Sequence, residues 1–247
     1  MAELISKEKL LFGLPINIPN MGTIYQPKLR DFVNNDFNYA KFKGVFSIKK
    51  DMFLEDTNED YDKIKDFDLI IYMNLIEDLI KSLKLLYKTD EIKIGELRSN
   101  DLSSIKILIK ANEEVYCLDR ENYAEFANRV LILLYSGNNV AEEEVKEELD
   151  EIELKMLKKR REFEKKKQKN KPKENDDNGV TIYDIANYII HVDNKYNYDS
   201  VLDLTIYQLI NSYYLYHQKE NYNIFMDYKT SGQFKIEEKI EHWFTNK

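Results

Sequence analysis

The sequence predicts an α+β protein in three segments. Residues 1–137 read as a mixed α/β domain with an extended N-terminal arm, residues 138–179 as a charge-segregated helix and flexible linker, and residues 180–247 as a Tyr-rich all-α module. Three observations lead to this division. Alternating and β-branched runs are confined to the first segment, where they flank helical periodicities. Acid and base separate into blocks in the middle. The last segment carries only three- and four-residue apolar spacings.

In the first segment, Pro15, Pro19 and Pro27 make Phe12 to Lys28 an extended arm, because proline lacks the amide that a helix would use. Its Leu14, Ile16, Ile18, Ile24 and Tyr25 are anchors for docking. Val45 to Phe53 reads as a short strand from Val45, Phe46 and Ile48. Asp66 to Tyr87 reads as one amphipathic helix, with Leu69, Met73, Ile76, Ile80, Leu83 and Tyr87 on its stripe. Strands are expected at Ile92 to Ile94, Ile105 to Ile109 and Val115 to Leu118. Asp119 is the expected N-cap of a helix from Glu121 to Tyr135, with Gly137 past its end.

From Ala141 to Glu153 there are eight acidic residues against one lysine, and from Lys155 to Lys173 eleven basic residues against two glutamates. Acid first and base last matches the helix dipole, so the order itself favours a helix. Val145, Leu149, Ile152 and Met156 form a short heptad-like seam along it. The polar stretch from Lys165 to Gly179 reads as linker. Thr181 and Asp184 start a helix with Ile182, Ile185, Ala186, Ile189 and Ile190. Asp203 or Thr205 caps a longer one that closes near Gly232, and Lys235 to Phe244 reads as one last short helix.

Forty-five acids against 37 bases, a net charge of -8, oppose bulk attraction to nucleic acid or anionic membranes. The start of the chain carries no export pattern, since Glu3, Lys7, Glu8 and Lys9 interrupt its apolar stretch. No run is apolar enough to span a bilayer. One cysteine, Cys117, offers no disulfide framework, and on an expected buried strand it reads as a structural thiol. His191, His217 and His242 have no metal-site spacing. The acidic loop Asp56, Glu59, Asp60 and Asp62 lacks the glycine and the closing glutamate of a calcium loop. No phosphate-binding or hydrolase motif occurs. The reading is therefore a non-enzyme with no catalytic residues, no cofactor and no metal. The basic run Lys158 to Lys173 suggests a nucleic-acid-binding regulator as a further alternative. Against it, residues 180–247 hold six lysines and no arginine to nine acids.

The tyrosines have two readings, core packing in a small helical bundle or contact with a protein partner. Of 18, six fall between Tyr207 and Tyr228, where a ring can bury area while its hydroxyl stays wet.

Several segments carry a resemblance: the arm Phe12 to Phe32 (FGLPINIPNMGTIYQPKLRDF), Leu118 to Phe126 (LDRENYAEF), Asp203 to Leu209 (DLTIYQL), Ser231-Gly232-Gln233 and His242-Trp243. Together they resemble tail-assembly chaperones or baseplate-hub assembly proteins of long-tailed bacteriophages of Gram-positive hosts. The resemblance implies a protein that holds a tail component, such as the tape-measure or hub protein, in the host bacterial cytoplasm during assembly. The alternative it implies is a structural subunit of the virion baseplate. A phage tail or baseplate protein is the expected partner, and self-association is compatible with the pattern. The expected partner-binding residues are Val145, Leu149, Ile152 and Met156 on the seam, and Tyr207, Tyr214, Tyr216 and Tyr222 in the helical module.

Overall fold

A computed structural model describes residues 5–35, 37–53, 61, 63–95, 105–134 and 180–231. The charged segment 138–179, nearly all of the acidic loop 56–62, and residues 235–244 lie outside the described residues. Residues 1–135 and 182–247 fall in one compact unit, and residues 136–181 in another. The described elements are α+β, as the sequence predicts.

Helix α1 (Lys7–Leu11) opens on Ser6, whose Oγ accepts from the Lys9 amide. It ends at Gly13, which has φ +65°. The arm that follows is a tight hairpin, β1 (Ile16–Ile18) against β2 (Gly22–Ile24), with Ile16 opposite Ile24 and Ile18 opposite Gly22. Pro15 and Pro19 flank β1, where the ladder needs no proline donor. Ile16, Ile18 and Ile24 point into the core. Gln26 ties the hairpin to α1 by donating from Nε2 to the carbonyls of Lys9 (2.8 Å) and Leu14 (3.0 Å).

Gly22 is held at φ +73°, and a Cβ there would lie 2.2 Å from Cζ of Tyr116. That ring is stacked on Tyr87, so it has little room to yield. Gly22→Ala is expected to lower stability to urea by about 1–3 kcal/mol, from left-handed backbone strain and the displaced ring. An unchanged urea midpoint would mean that the ring swings away without cost.

Helices α2 (Leu29–Asn34) and α3 (Tyr39–Ser47) bring Phe32, Phe42, Val45 and Phe46 inward. Here the strand expected over Val45 to Phe53 is corrected. Asn38 caps α3 by accepting from the Ala40 amide at 2.7 Å. Phe42, Val45 and Phe46 then share one face at helical spacing, and this burial outweighs the β preference of Val45. A 3-10 turn, Lys50–Met52, follows.

The single helix expected over Asp66 to Tyr87 is two, α4 (Asp66–Tyr72) and α5 (Ile76–Tyr87). Asn74 sits between them at φ 56°, a conformation that asparagine tolerates and a helix does not contain. The break moves Met73 out to solvent, and Phe67 and Ile70 supply the buried side of α4.

Strands β3 (Ile92–Ile94), β4 (Ile107–Ala111) and β5 (Glu114–Leu118) form an antiparallel sheet in the order β3-β4-β5. Asn112 and Glu113, at φ 51° and 66°, make the two-residue turn between β4 and β5. Ile107, Ile109 and Ala111 face the core, while Leu108 and Lys110 alternate outward. The helix expected from Glu121 with Asp119 as its N-cap starts two residues later, as α6 (Tyr123–Leu133) with Asn122 at the N-cap; Asp119 Oδ1 instead accepts from the amides of Glu121 (3.0 Å) and Asn122 (3.3 Å) in the turn before it.

Helix α6 packs on α3 and α4. Tyr123 meets Phe67 at 5.3 Å and donates its hydroxyl to the Val45 carbonyl. Arg120, just before α6, forms a 2.8 Å ion pair with the buried Asp68 of α4 and also donates to the Lys63 carbonyl.

The C-terminal helices α7 (Ile182–Val192) and α8 (Ile206–Thr230), joined through a 3-10 turn at Ser200–Asp203, complete the same core. Thr205 caps α8 in a reciprocal box. Its Oγ1 accepts from the Gln208 amide at 3.2 Å, and Gln208 Oε1 accepts from the Thr205 amide at 2.9 Å.

Backbone bonds then join the ends of the chain: Leu29 N–H to Leu204 C=O and Ile206 N–H to Pro27 C=O, both 3.0 Å. Arg30 adds contacts to Asp199 (3.1 Å) and Asp203 (3.3 Å). These ion pairs are exposed and worth little, so the backbone bonds and the shared core hold the seam.

Candidate protein-interaction surface

The α7–α8 pair is built around tyrosine. Tyr188 of α7 meets Tyr213 of α8 edge-on at 5.3 Å and stacks on His217 at 6.3 Å, while Tyr213 meets His217 at 5.4 Å. Each helix also gives the other a carboxylate–phenol contact. Tyr188 donates to Glu220 at 2.7 Å, and Tyr216 donates to Asp193 just past α7.

These contacts shift titrations in a definite direction. Desolvation among the rings, then the bond to Glu220, pushes the Tyr188 hydroxyl up to about 12. Tyr216 is raised by desolvation and by Asp193. The Asp193 carboxyl is held below its ordinary value, first by the Tyr216 hydroxyl and then by the Lys195 amide. Tyr39, at the edge of the Phe32 and Phe42 cluster, is pushed up to about 12 by burial alone.

A tyrosine whose folded value lies above its unfolded value of 10.0 stabilises the fold fully below pH 10. That contribution is lost as pH rises from 10 toward 12. The urea midpoint is therefore expected to hold up to about pH 10 and then fall, with absorbance at 295 nm showing a late-titrating class. A Tyr188→Phe/Tyr39→Phe variant should show a shallower fall over that window, and an unchanged fall would refute the assignment.

Tyrosine on α8 divides by position. Tyr207 is 6% exposed and belongs to the core. Tyr216 is half-buried against Asp193, and Tyr222 is half-buried farther along. Tyr214 is 47% exposed, beside exposed Leu215, and Ile224, Phe225 and Tyr228 follow on the outer part of the helix. Val145, Leu149, Ile152 and Met156 lie outside the described residues.

The sequence reading missed the other half of this surface. Leu11, Phe12 and Leu14 turn outward at the end of α1, with Phe12 73% exposed. Gln208 Nε2 bonds the Leu11 carbonyl at 2.8 Å and fixes that turn against the first turn of α8. Leu215 lies two helical turns beyond Gln208 on the same side. The exposed apolar residues thus come from opposite ends of the sequence, with the polar Gln208, Asn211 and Ser212 on α8 between them. Gly13 was the available signal, since its left-handed backbone turns the flanking apolar residues out.

Other candidate chemistry is sparse among the described residues. Burial, and then Asp119, pushes the Cys117 thiol up, which disfavours thiolate. No group of three or more His, Cys, Asp or Glu residues could hold a metal ion among the described residues. His191 is exposed, His217 lies in the tyrosine cluster, and His242 is outside the described residues. Among the described residues no helix is long and apolar enough to cross a membrane.

Residues 166–247, about a third of the chain, match a family described as the YomV second domain. This is a phage-derived domain, and the match spans both α7 and α8. No curated protein matches the chain, and no solved structure does.

Proposed function

We propose that this protein is a non-enzymatic phage tail or baseplate assembly protein that binds and chaperones a tail component, with the tape-measure or hub protein as partner, in the host cytoplasm. The observation that carries the reading is coincidence in place. The phage-derived domain covers the helix that presents the exposed aromatic strip. Exposed tyrosine, phenylalanine and leucine on a rigid helix suit a partner's apolar segment, because the rings bury area at low entropic cost. Tyr214, Leu215 and Phe12 are assigned as the contact residues, with Tyr222 at the margin.

The test is a tagged pull-down from phage-producing cells, with purified virions analysed in parallel by mass spectrometry. Capture of the tape-measure or hub protein, with this chain absent from virions, is the expected result. Stoichiometric presence in virions would replace the chaperone with a structural subunit. For a captured partner, Tyr214→Ala is expected to weaken binding roughly 30-fold, as loss of a central aromatic contact of about 2 kcal/mol does. A Kd unchanged by that substitution would remove Tyr214 from the interface.

A further inference from the structure

The β3-β4-β5 sheet ends on an open edge at β5. Lys110 N–H bonds the Glu91 carbonyl and Gly95 N–H bonds the Lys106 carbonyl, so the even-numbered residues along β4 bond β3. The odd ones, Ile107, Ile109 and Ala111, then bond Leu118, Tyr116 and Glu114 of β5. This alternation leaves the backbone groups of Val115 and Cys117 pointing away from the sheet. Asn122 fills one of them, its Nδ2 donating to the Cys117 carbonyl at 2.8 Å. The N–H and C=O of Val115 have no partner among the described residues.

The side chain there is open as well. Val115 is 63% exposed, on the same outer face of the sheet as Leu108 at 39%. Exposed sheet edges are ordinarily guarded by lysine, proline or a bulge. Strand β5 has none of these: its register with β4 is unbroken from Glu114 to Leu118, and its one charged side chain, Glu114, accepts from the Tyr116 hydroxyl.

We propose that this edge is an interface with a second copy of the chain, β5 pairing antiparallel with β5 about a two-fold axis at Val115. In that register each Val115 N–H meets the other Val115 C=O, so the unpartnered donor and acceptor of both copies are satisfied together. The two valine side chains meet on the outer face as a β-branched pair. Glu114 stands opposite Tyr116 and Glu113 opposite Cys117, so no like charges are opposed. Moving the axis to Tyr116 would set Glu113 against Asp119, and it would call on the Cys117 carbonyl that Asn122 already holds. A longer foreign strand would find only Val115 to pair with, because the turn at Asn112 and Glu113 ends the edge on one side and Asn122 closes it on the other. The two-fold register needs no more than that. So short a contact buries little area, which puts its Kd at about 0.1–1 mM. It lies apart from Phe12 and Tyr214 and stands whether or not the assembly role does.

Disulfide trapping reads the register in the full chain. With Cys117→Ser to remove the native thiol, Val115→Cys sets two thiols on directly opposed residues whose Cα atoms lie about 5.5 Å apart, within the reach of a disulfide. Mild oxidation is expected to give a covalent dimer in severalfold higher yield than Val33→Cys in the same background, an exposed position on α2. By sedimentation velocity the wild-type chain should gain dimer as concentration rises. Val115→Lys, which opposes two ammonium groups at the axis, should stay a monomer. Circular dichroism and the urea midpoint check that the variants keep the fold. Three results would overturn the proposal: a wild-type chain still monomeric at about 1 mM, a dimer unchanged by Val115→Lys, or cross-linking no greater than that of Val33→Cys. No tail protein enters the measurement, so its outcome is separate from that of the pull-down.

Discussion

Replacing Arg120 by alanine is expected to destabilise the fold by about 3–5 kcal/mol, because it strands a buried carboxylate. Asp68 is only 6% exposed, and its Oδ2 takes both the Arg120 guanidinium (2.8 Å) and the Lys65 amide (2.8 Å). Its other oxygen, Oδ1, has no hydrogen-bond partner among the described residues, so without Arg120 the Lys65 amide alone would compensate the carboxylate. The same arginine also donates to the Lys63 carbonyl, which pins the approach to α4. A double variant, Arg120→Met/Asp68→Leu, should recover most of the loss, since a buried ion pair exchanged for apolar groups is often neutral. Urea unfolding of the two single variants and the double closes the cycle. A cost for Arg120→Ala below about 1 kcal/mol, the range of exposed pairs, would show that the pair is solvated.

Phe42→Ala is expected to cost about 3–5 kcal/mol, the range for deleting a buried aromatic ring. Phe42 is fully buried and meets three other rings edge-on: Phe32 at 5.2 Å, Phe37 at 6.3 Å and Phe46 at 5.5 Å. Phe46 continues the chain of rings to Phe126 at 6.1 Å, so the cluster joins α2, α3 and α6. Phe42→Leu should recover part of the loss by refilling the volume, though not the ring geometry. The equilibrium measurement is again urea unfolding, and a loss under about 1.5 kcal/mol would mean that the neighbouring rings collapse into the space.

Local rules were readable in the sequence where one residue controls its own neighbourhood. Of the two caps the sequence offered for α8, Asp203 and Thr205, it is Thr205 that caps, because a cap needs only its own side chain and the next three amides; Asp119 holds the turn before α6, whose N-cap is Asn122. The β4–β5 hairpin was readable from alternation. Val45 misled because its β preference is intrinsic, while the choice of helix came from Phe42 three residues earlier and the ring cluster beyond it. Asn74 misled because the apolar period runs through it on either side, and only its left-handed backbone ends α4.

What the sequence hides is contact across distance. Asp68 and Arg120 are 52 residues apart, and Leu11 and Gln208 are 197 apart. No periodicity links either pair. For the interaction surface the tyrosine content was visible, but its sorting was not. Tyr207 and Tyr214 look equivalent by composition, yet one is buried in the core and the other is 47% exposed beside Tyr213. For Phe12 the one signal was the neighbouring Gly13, and it was outweighed by the prolines that follow, which read as an arm anchored by its apolar residues.

The most direct test of the assembly role is co-expression of the phage's own tape-measure and hub proteins, each with the wild-type chain and with a Phe12→Glu/Tyr214→Glu variant. The fraction of tail protein in the soluble lysate is measured. The exposed Phe12 and Tyr214 predict that one tail protein becomes soluble and co-purifies with the wild-type chain, and that the variant, folded by circular dichroism, loses this effect. Neither tail protein gaining solubility, or both chains protecting it equally, would contradict the role assigned to this surface.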